Sequence, residues 1–120
     1  MKKMTIALVG AFLLAAGSMA QAADLAAGQA AFKKFNCASC HGADAKSPTS
    51  PAYPILAGQH ADYLSHALHA YKRGQSGAPA SANLRKNAIM GAMVAQLTDT
   101  DIDNITAWLS RQPSPLSVQQ

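Results

Sequence analysis

Apolar positions along the chain fall into one dense block, Thr5–Ala16, followed by sparser stretches with helical periodicity. Asp24 stands where it can cap a helix beginning at Leu25, with Leu25, Gly28, Phe32 and Phe35 as candidate inward positions. This helix is predicted to end near Cys37 to His41. Periodicity then lapses from Gly42 to Gly58, where Pro48, Pro51 and Pro54 interrupt small polar residues. A loop of about seventeen residues in a compact domain usually carries function. A second helix is predicted from about Ala61 to Arg73, because Leu64, Ala67, Leu68 and Tyr71 recur at i, i+3, i+4 and i+7. Lys72 and Arg73 suit its C-terminal end and Gly74 its C′ position.

Residues 75–87 are turn-rich, and a short helix is expected between Ala88 and Leu97. Thr98 reads as the N-cap of a last helix, with Asp99, Asp101 and Asp103 near the positive end of its dipole. Ile102, Ile105, Trp108 and Leu109 form its apolar face, and Pro113 and Pro115 prevent its continuation. The chain has no internal repeat. With 120 residues and only 6% aromatics, strand-forming runs are scarce. The expected fold is all-α, with about four helices and long loops.

The dense apolar block changes the domain limits. Met1–Met4 is a short basic segment, Thr5–Ala16 an uncharged apolar one, and Ala20-Gln21-Ala22 a small-residue A-x-A site. Together they read as a secretory signal peptide, residues 1–22, cleaved between Ala22 and Ala23 to leave a domain of residues 23–120. The block is too short for a spanning helix, which needs about 20 apolar residues. Ten Lys and Arg against six acidic residues give a formal charge of +4, but Lys2 and Lys3 leave with the signal. The mature chain lacks a basic run of five, which disfavours nucleic acid as a partner.

The candidate chemistry lies in Cys37-Ala38-Ser39-Cys40-His41. A thioredoxin-like pair would follow a strand in a βαβ unit, and no strand is predicted before Cys37. His66 and His69, far downstream, miss the usual zinc-finger spacing. A disulfide closing so small a loop would constrain the unfolded chain little. Covalent haem c fits best: two thiols three positions apart can add to two vinyl groups on one haem edge, and the next residue, His41, is then the proximal iron ligand. Zinc binding and thiol redox chemistry remain the weaker alternatives. A second axial ligand would be Met or His, and the mature chain offers Met90 and Met93. Met90, just after the turn-rich segment, is favoured; Met93, one turn on, suits the core. His60, His66 and His69 read as solvent-facing.

Taken in order, Gly28…Phe32, Cys37-x-x-Cys40-His41-Gly42, Pro51-Ala52-Tyr53-Pro54-x-Leu56-Ala57-Gly58-Gln59, Arg85-x-Asn87-x-x-Met90, Leu97-Thr98-Asp99 and Trp108-Leu109 make the chain resemble class I c-type cytochromes. It is most similar to the small bacterial periplasmic group whose domain also occurs in tandem di-haem cytochromes. The resemblance spans residues 24–112 and implies a cytochrome c fold wrapped around one covalently attached haem. It implies that Gly28 and Phe32 meet Trp108 at a helix crossing, and that Met90 is the distal iron ligand opposite His41. Pro51 matches the proline whose carbonyl accepts a hydrogen bond from the proximal histidine. Tyr53, Arg85 and Asn87 match positions that could contact the haem propionates.

The resemblance further implies a non-enzymatic, periplasmic one-electron carrier, monomeric or weakly dimeric. Its expected partners are a quinol-oxidising complex as donor and a terminal oxidase or other periplasmic reductase as acceptor. The alternatives are a haem subunit of a larger redox complex, and a haem enzyme or gas sensor with a labile sixth ligand.

Overall fold

The computed structural model describes residues 22–115. The expected signal peptide therefore lies outside the described residues, apart from Ala22. Five α-helices follow in order: α1 (Leu25–Lys34), α2 (Ala38–His41), α3 (Ala61–Gln75), α4 (Ala88–Val94) and α5 (Asp99–Ser110), with one 3-10 turn at Ala80–Ala82. No strand occurs among the described residues. The all-α expectation holds, with α2 as one helix more than the periodicity suggested.

That extra helix corrects the predicted end of the first one. The α1 helix stops at Lys34 because Asn36 takes a left-handed conformation, φ 60°, which asparagine tolerates better than most residues. The N-terminus of α1 forms as expected: Asp24 caps it, accepting from Ala27 N at 3.0 Å. Gly28 and Phe32 are buried, but Leu25 is 44% exposed, so it is not an inward position. Phe35 is half-buried beneath the Lys34 ammonium, 5.1 Å from its ring centroid.

The α1 and α5 helices cross in close contact. Phe32 and Trp108 meet there with ring centroids 5.1 Å apart, and Asp24 N donates to Asn104 Oδ1 at 2.8 Å. Ile102, Ile105 and Leu109 complete the buried face of α5, as its periodicity predicted. The α3 helix packs on α4 and α5. It runs on to Gln75, so Gly74 is not a C′ residue: it lies inside the helix, where Arg85 O packs over it. Ser76 is the C-cap, and positive φ comes only at Gly77.

Thr98 and Asp101 form a capping box at the start of α5. Asp101 N donates to Thr98 Oγ1 at 3.1 Å, and Thr98 N donates to Asp101 Oδ2 at 2.9 Å. Thr98→Ala should destabilise the domain by about 1 kcal/mol, measured by denaturant unfolding. The Thr98 backbone N–H, then its hydroxyl, holds the Asp101 carboxyl below the ordinary carboxylate range. A lowered folded pKa means that this stabilisation is present above about pH 4 and fades as pH falls through the folded value. The stability gap between wild type and Asp101→Asn should close accordingly in acid.

Candidate haem site

The site is built on α2 and the loop that follows. Asn36 redirects the chain, Cys37 N donates back to Phe32 O at 3.1 Å, and Ser39 Oγ donates to Asn36 O at 2.8 Å. One helical turn then carries Cys37, Cys40 and His41 to the wall of a single cavity. The thiols are half-buried and not joined to each other. Burial pushes the Cys37 thiol up to about 11, so it keeps its proton at neutral pH. Gly42 ends the turn at φ +84°, a conformation side chains rarely adopt, and a Cβ there would stand 2.4 Å from Ser47 O.

The loop that Gly42 opens is folded back on itself by long-range hydrogen bonds. Ala45, fully buried at φ 57°, accepts from Leu56 N at 2.9 Å and Ala57 N at 3.0 Å. Gly58 N donates to Leu109 O at 2.9 Å, fastening the loop to α5. This folding brings Pro54 against His41, a residue only 6% exposed, whose Nδ1 lies 2.9 Å from Pro54 O. A carbonyl can only accept, so Nδ1 carries the proton and Nε2 keeps the lone pair that a metal needs.

This finding corrects the role expected of Pro51. Pro51 is exposed and lies with Ala52 inside the turn closed by Tyr53 N donating to Ser50 O at 3.0 Å. The chain reaches His41 only after that turn, so Pro54 supplies the carbonyl.

The cavity measures about 480 Å³ and is walled chiefly by apolar side chains from α3, α4 and the loop. Protein interiors rarely leave a void much larger than a water molecule, so a space of this size suits a bulky apolar body. The residues present fit a covalently held haem: two thiols, a buried imidazole with its lone pair on Nε2, and two thioethers share the one cavity. The structure brings together Cys37, Cys40, His41, Tyr53, Arg85, Asn87, Met90 and Met93, and leaves out Pro51.

The lesser candidates have visible duties. Asn87, expected as a propionate contact, caps α4, its Oδ1 accepting from Met90 N at 2.9 Å, so the amide oxygen holds the backbone of Met90. Arg85 is exposed, donates to Tyr63 Oη at 3.3 Å and lies 5.7 Å from the ring centroids of both Tyr63 and Tyr71. These tyrosines push its pKa up, so it is a permanent cation at the cavity rim. Tyr53 is half-buried, its ring centroid 6.3 Å from that of His41. Tyr63 is a cavity residue that the sequence reading missed; its recurrence with Ala67 and Tyr71 at four-residue intervals was the available signal. His60 and His66 are exposed as expected, whereas His69 is half-buried with Nδ1 4.0 Å from Asp99 Oδ1.

Residues 25–112 match the family model for cytochrome c, and the chain belongs to that family, whose domain holds covalent haem c. Among its relatives is cytochrome c4 of Stutzerimonas stutzeri, 40% identical over 93% of this chain and 51% of that protein. Cytochrome c-554(548) of Halomonas halodenitrificans is 40% identical over 76% of this chain and 99% of that protein. The thiosulfate dehydrogenase electron acceptor of S. stutzeri strain A1501 is 34% identical over 96% of this chain and 51% of its own length. The crystal structure of reduced recombinant cytochrome c4 from Pseudomonas stutzeri superposes with TM-score 0.65 at 39% identity, covering 77% of this chain and 47% of that one. The chain thus spans about half the length of the cytochrome c4 relatives it matches and nearly all of the cytochrome c-554(548).

Proposed function

We propose that this protein is a periplasmic one-electron carrier whose haem is fixed by Cys37 and Cys40 and ligated by His41 and Met90. The haem, when bound, supplies an iron that cycles between Fe(II) and Fe(III). The observation that carries this reading is the His41 ring: buried, held by Pro54 O, and left with a lone pair on Nε2 in the cavity that also takes Met90. The Pro54 carbonyl fixes the ring's tautomer and orientation, so His41 need not reorganise when the charge beside it changes. Apolar walls from α3 and α4 keep water from the site and favour the less charged, reduced state.

With thioether and imidazole ligands the site has no position for substrate, which supports a carrier rather than an enzyme. Export agrees with the A-x-A leader, and no helix among the described residues is long and apolar enough to cross a membrane. A quinol-oxidising complex as donor and a terminal oxidase or periplasmic reductase as acceptor suit a carrier of this kind. The relative named as a thiosulfate dehydrogenase electron acceptor supports a dehydrogenase as an alternative donor.

A potentiometric titration of the exported holoprotein tests the proposal. It should show one reversible one-electron transition per chain, and denaturation should leave the haem attached. A haem extracted by denaturant would overturn the thioether assignment, and an irreversible or multi-electron transition would overturn the carrier role.

A further inference from the structure

Two consecutive cations at the end of α3 reach in different directions. Lys72 Nζ donates to Leu97 O at 2.8 Å and lies 3.5 Å from Asp99 Oδ1. Arg73 Nε donates to Ala82 O at 2.9 Å, and its Nη2 donates to Asn83 O at 3.1 Å. Leu97 lies just after α4, and Ala82 and Asn83 lie before it. The stretch between these anchors contains Met90, roughly midway. We propose that Lys72 and Arg73 are positioning residues: a clamp that grips both ends of the Met90-bearing segment and holds its thioether at the iron. The inference rests on Met90 being the distal ligand.

Several observations make this more than incidental surface pairing. The acceptors are chiefly backbone carbonyls, so the bonds fix the path of the chain rather than a mobile side chain. Lys72 is only 30% exposed, and the bonds from Lys72 to Leu97 and from Arg73 to Ala82 are part-buried, where charge-assisted bonds are stronger than at a free surface. Between the anchors, Arg85 N donates to Ala70 O at 3.1 Å, and Arg85 O packs over Gly74, so the same turns of α3 also grip the middle of the approach to α4.

The segment needs such fastening. Residues 83–87 form no regular structure, α4 is only seven residues long, and Ile89 beside Met90 is 60% exposed. A short helix flanked by irregular chain has little stability of its own. An unclamped segment would let Met90 leave the iron by a local opening, without unfolding the α1–α5 crossing.

The test uses the holoprotein with Arg73→Gln, Lys72→Gln and the conservative Arg73→Lys. Two readouts report on Met90: the near-infrared band of thioether-ligated ferric haem, and the rate of carbon monoxide uptake by the ferrous protein, which is limited by thioether release. Loss of the clamp's charge-assisted bonds should raise the uptake rate about tenfold or more in each Gln variant. Arg73→Lys, which can restore one of the two carbonyl contacts, should fall between. Thermal unfolding provides the control, since a purely structural role would lower stability without selectively exposing iron. Uptake rates that equal wild type, or that rise only in proportion to global unfolding, overturn the clamp. If Arg73→Gln fails to load haem, Arg73→Lys and Lys72→Gln carry the same test. Absence of the band from the wild type would instead overturn Met90 or Met93 ligation itself, which separates the two failures.

Discussion

Met90→Ala should abolish the near-infrared thioether band of the oxidised holoprotein and lower its reduction potential by about 0.1 V or more. Axial ligands set haem potentials over a range of roughly 0.8 V, and a thioether lies on the side that favours Fe(II). Removing it leaves water or a stronger donor at the sixth position. Each disfavours the reduced state relative to methionine. Met93→Ala is the control, because both methionines line the cavity and both stand on α4. Asn87 caps the helix through Met90 N and so fixes the backbone of that residue, and Met90 packs against the core; Met93, expected to be the core methionine, is half-buried one turn on and is not part of that packing. Met93→Ala should therefore preserve the band and cost only modest stability by truncation, about 1 kcal/mol. The reverse result would move the ligand to Met93.

Gly28→Ala should destabilise the holoprotein by about 3 kcal/mol or more, lowering its melting temperature by about 12 °C or more. The sign distinguishes packing from propensity. Alanine is the better helix former by about 1 kcal/mol, so propensity alone predicts a gain. A Cβ at Gly28, however, would stand 2.0 Å from Asn104 O and 2.9 Å from Trp108 Cβ. Both lie on the α5 backbone or at its root, and neither can turn aside. The crossing would have to open, separating Phe32 from Trp108 and freeing Asp24 N from Asn104. Thermal unfolding followed by far-UV circular dichroism measures the effect; an unchanged or raised melting temperature would refute the close approach.

Features set by neighbouring residues were legible in the sequence. The caps at Asp24 and Thr98 act within one helical turn, and the buried face of α5 follows from its period. The Cys37-to-His41 motif is likewise local, since its thiols and imidazole need only one turn of helix. Long-range effects were less visible. Pro51 and Pro54 look alike in sequence, and the choice between them depends on Ala45 accepting from Leu56 and Ala57 across the loop. Alanine at positive φ gives no warning of that fold-back. Asn36 carries a signal, as asparagine tolerates the left-handed region, but a single asparagine does not by itself mark a helix end. The half-buried stripe of α3 has a simpler cause: Ala67, Leu68 and Tyr71 line the cavity, and only Leu68 and Tyr71 of these also pack against the core. Lys72 and Arg73 suited the C-terminal dipole in sequence, yet their carbonyl partners lie beyond α3 and appear only in the fold.

The central claim is that His41 and a methionine close both faces of the iron, leaving a site that passes electrons and binds nothing else. Exposure of the dithionite-reduced wild-type holoprotein to carbon monoxide at neutral pH tests it most directly. The account predicts an absorption spectrum unchanged immediately after mixing. An immediate conversion to the carbonyl spectrum would contradict it and assign the chain an open or labile sixth position.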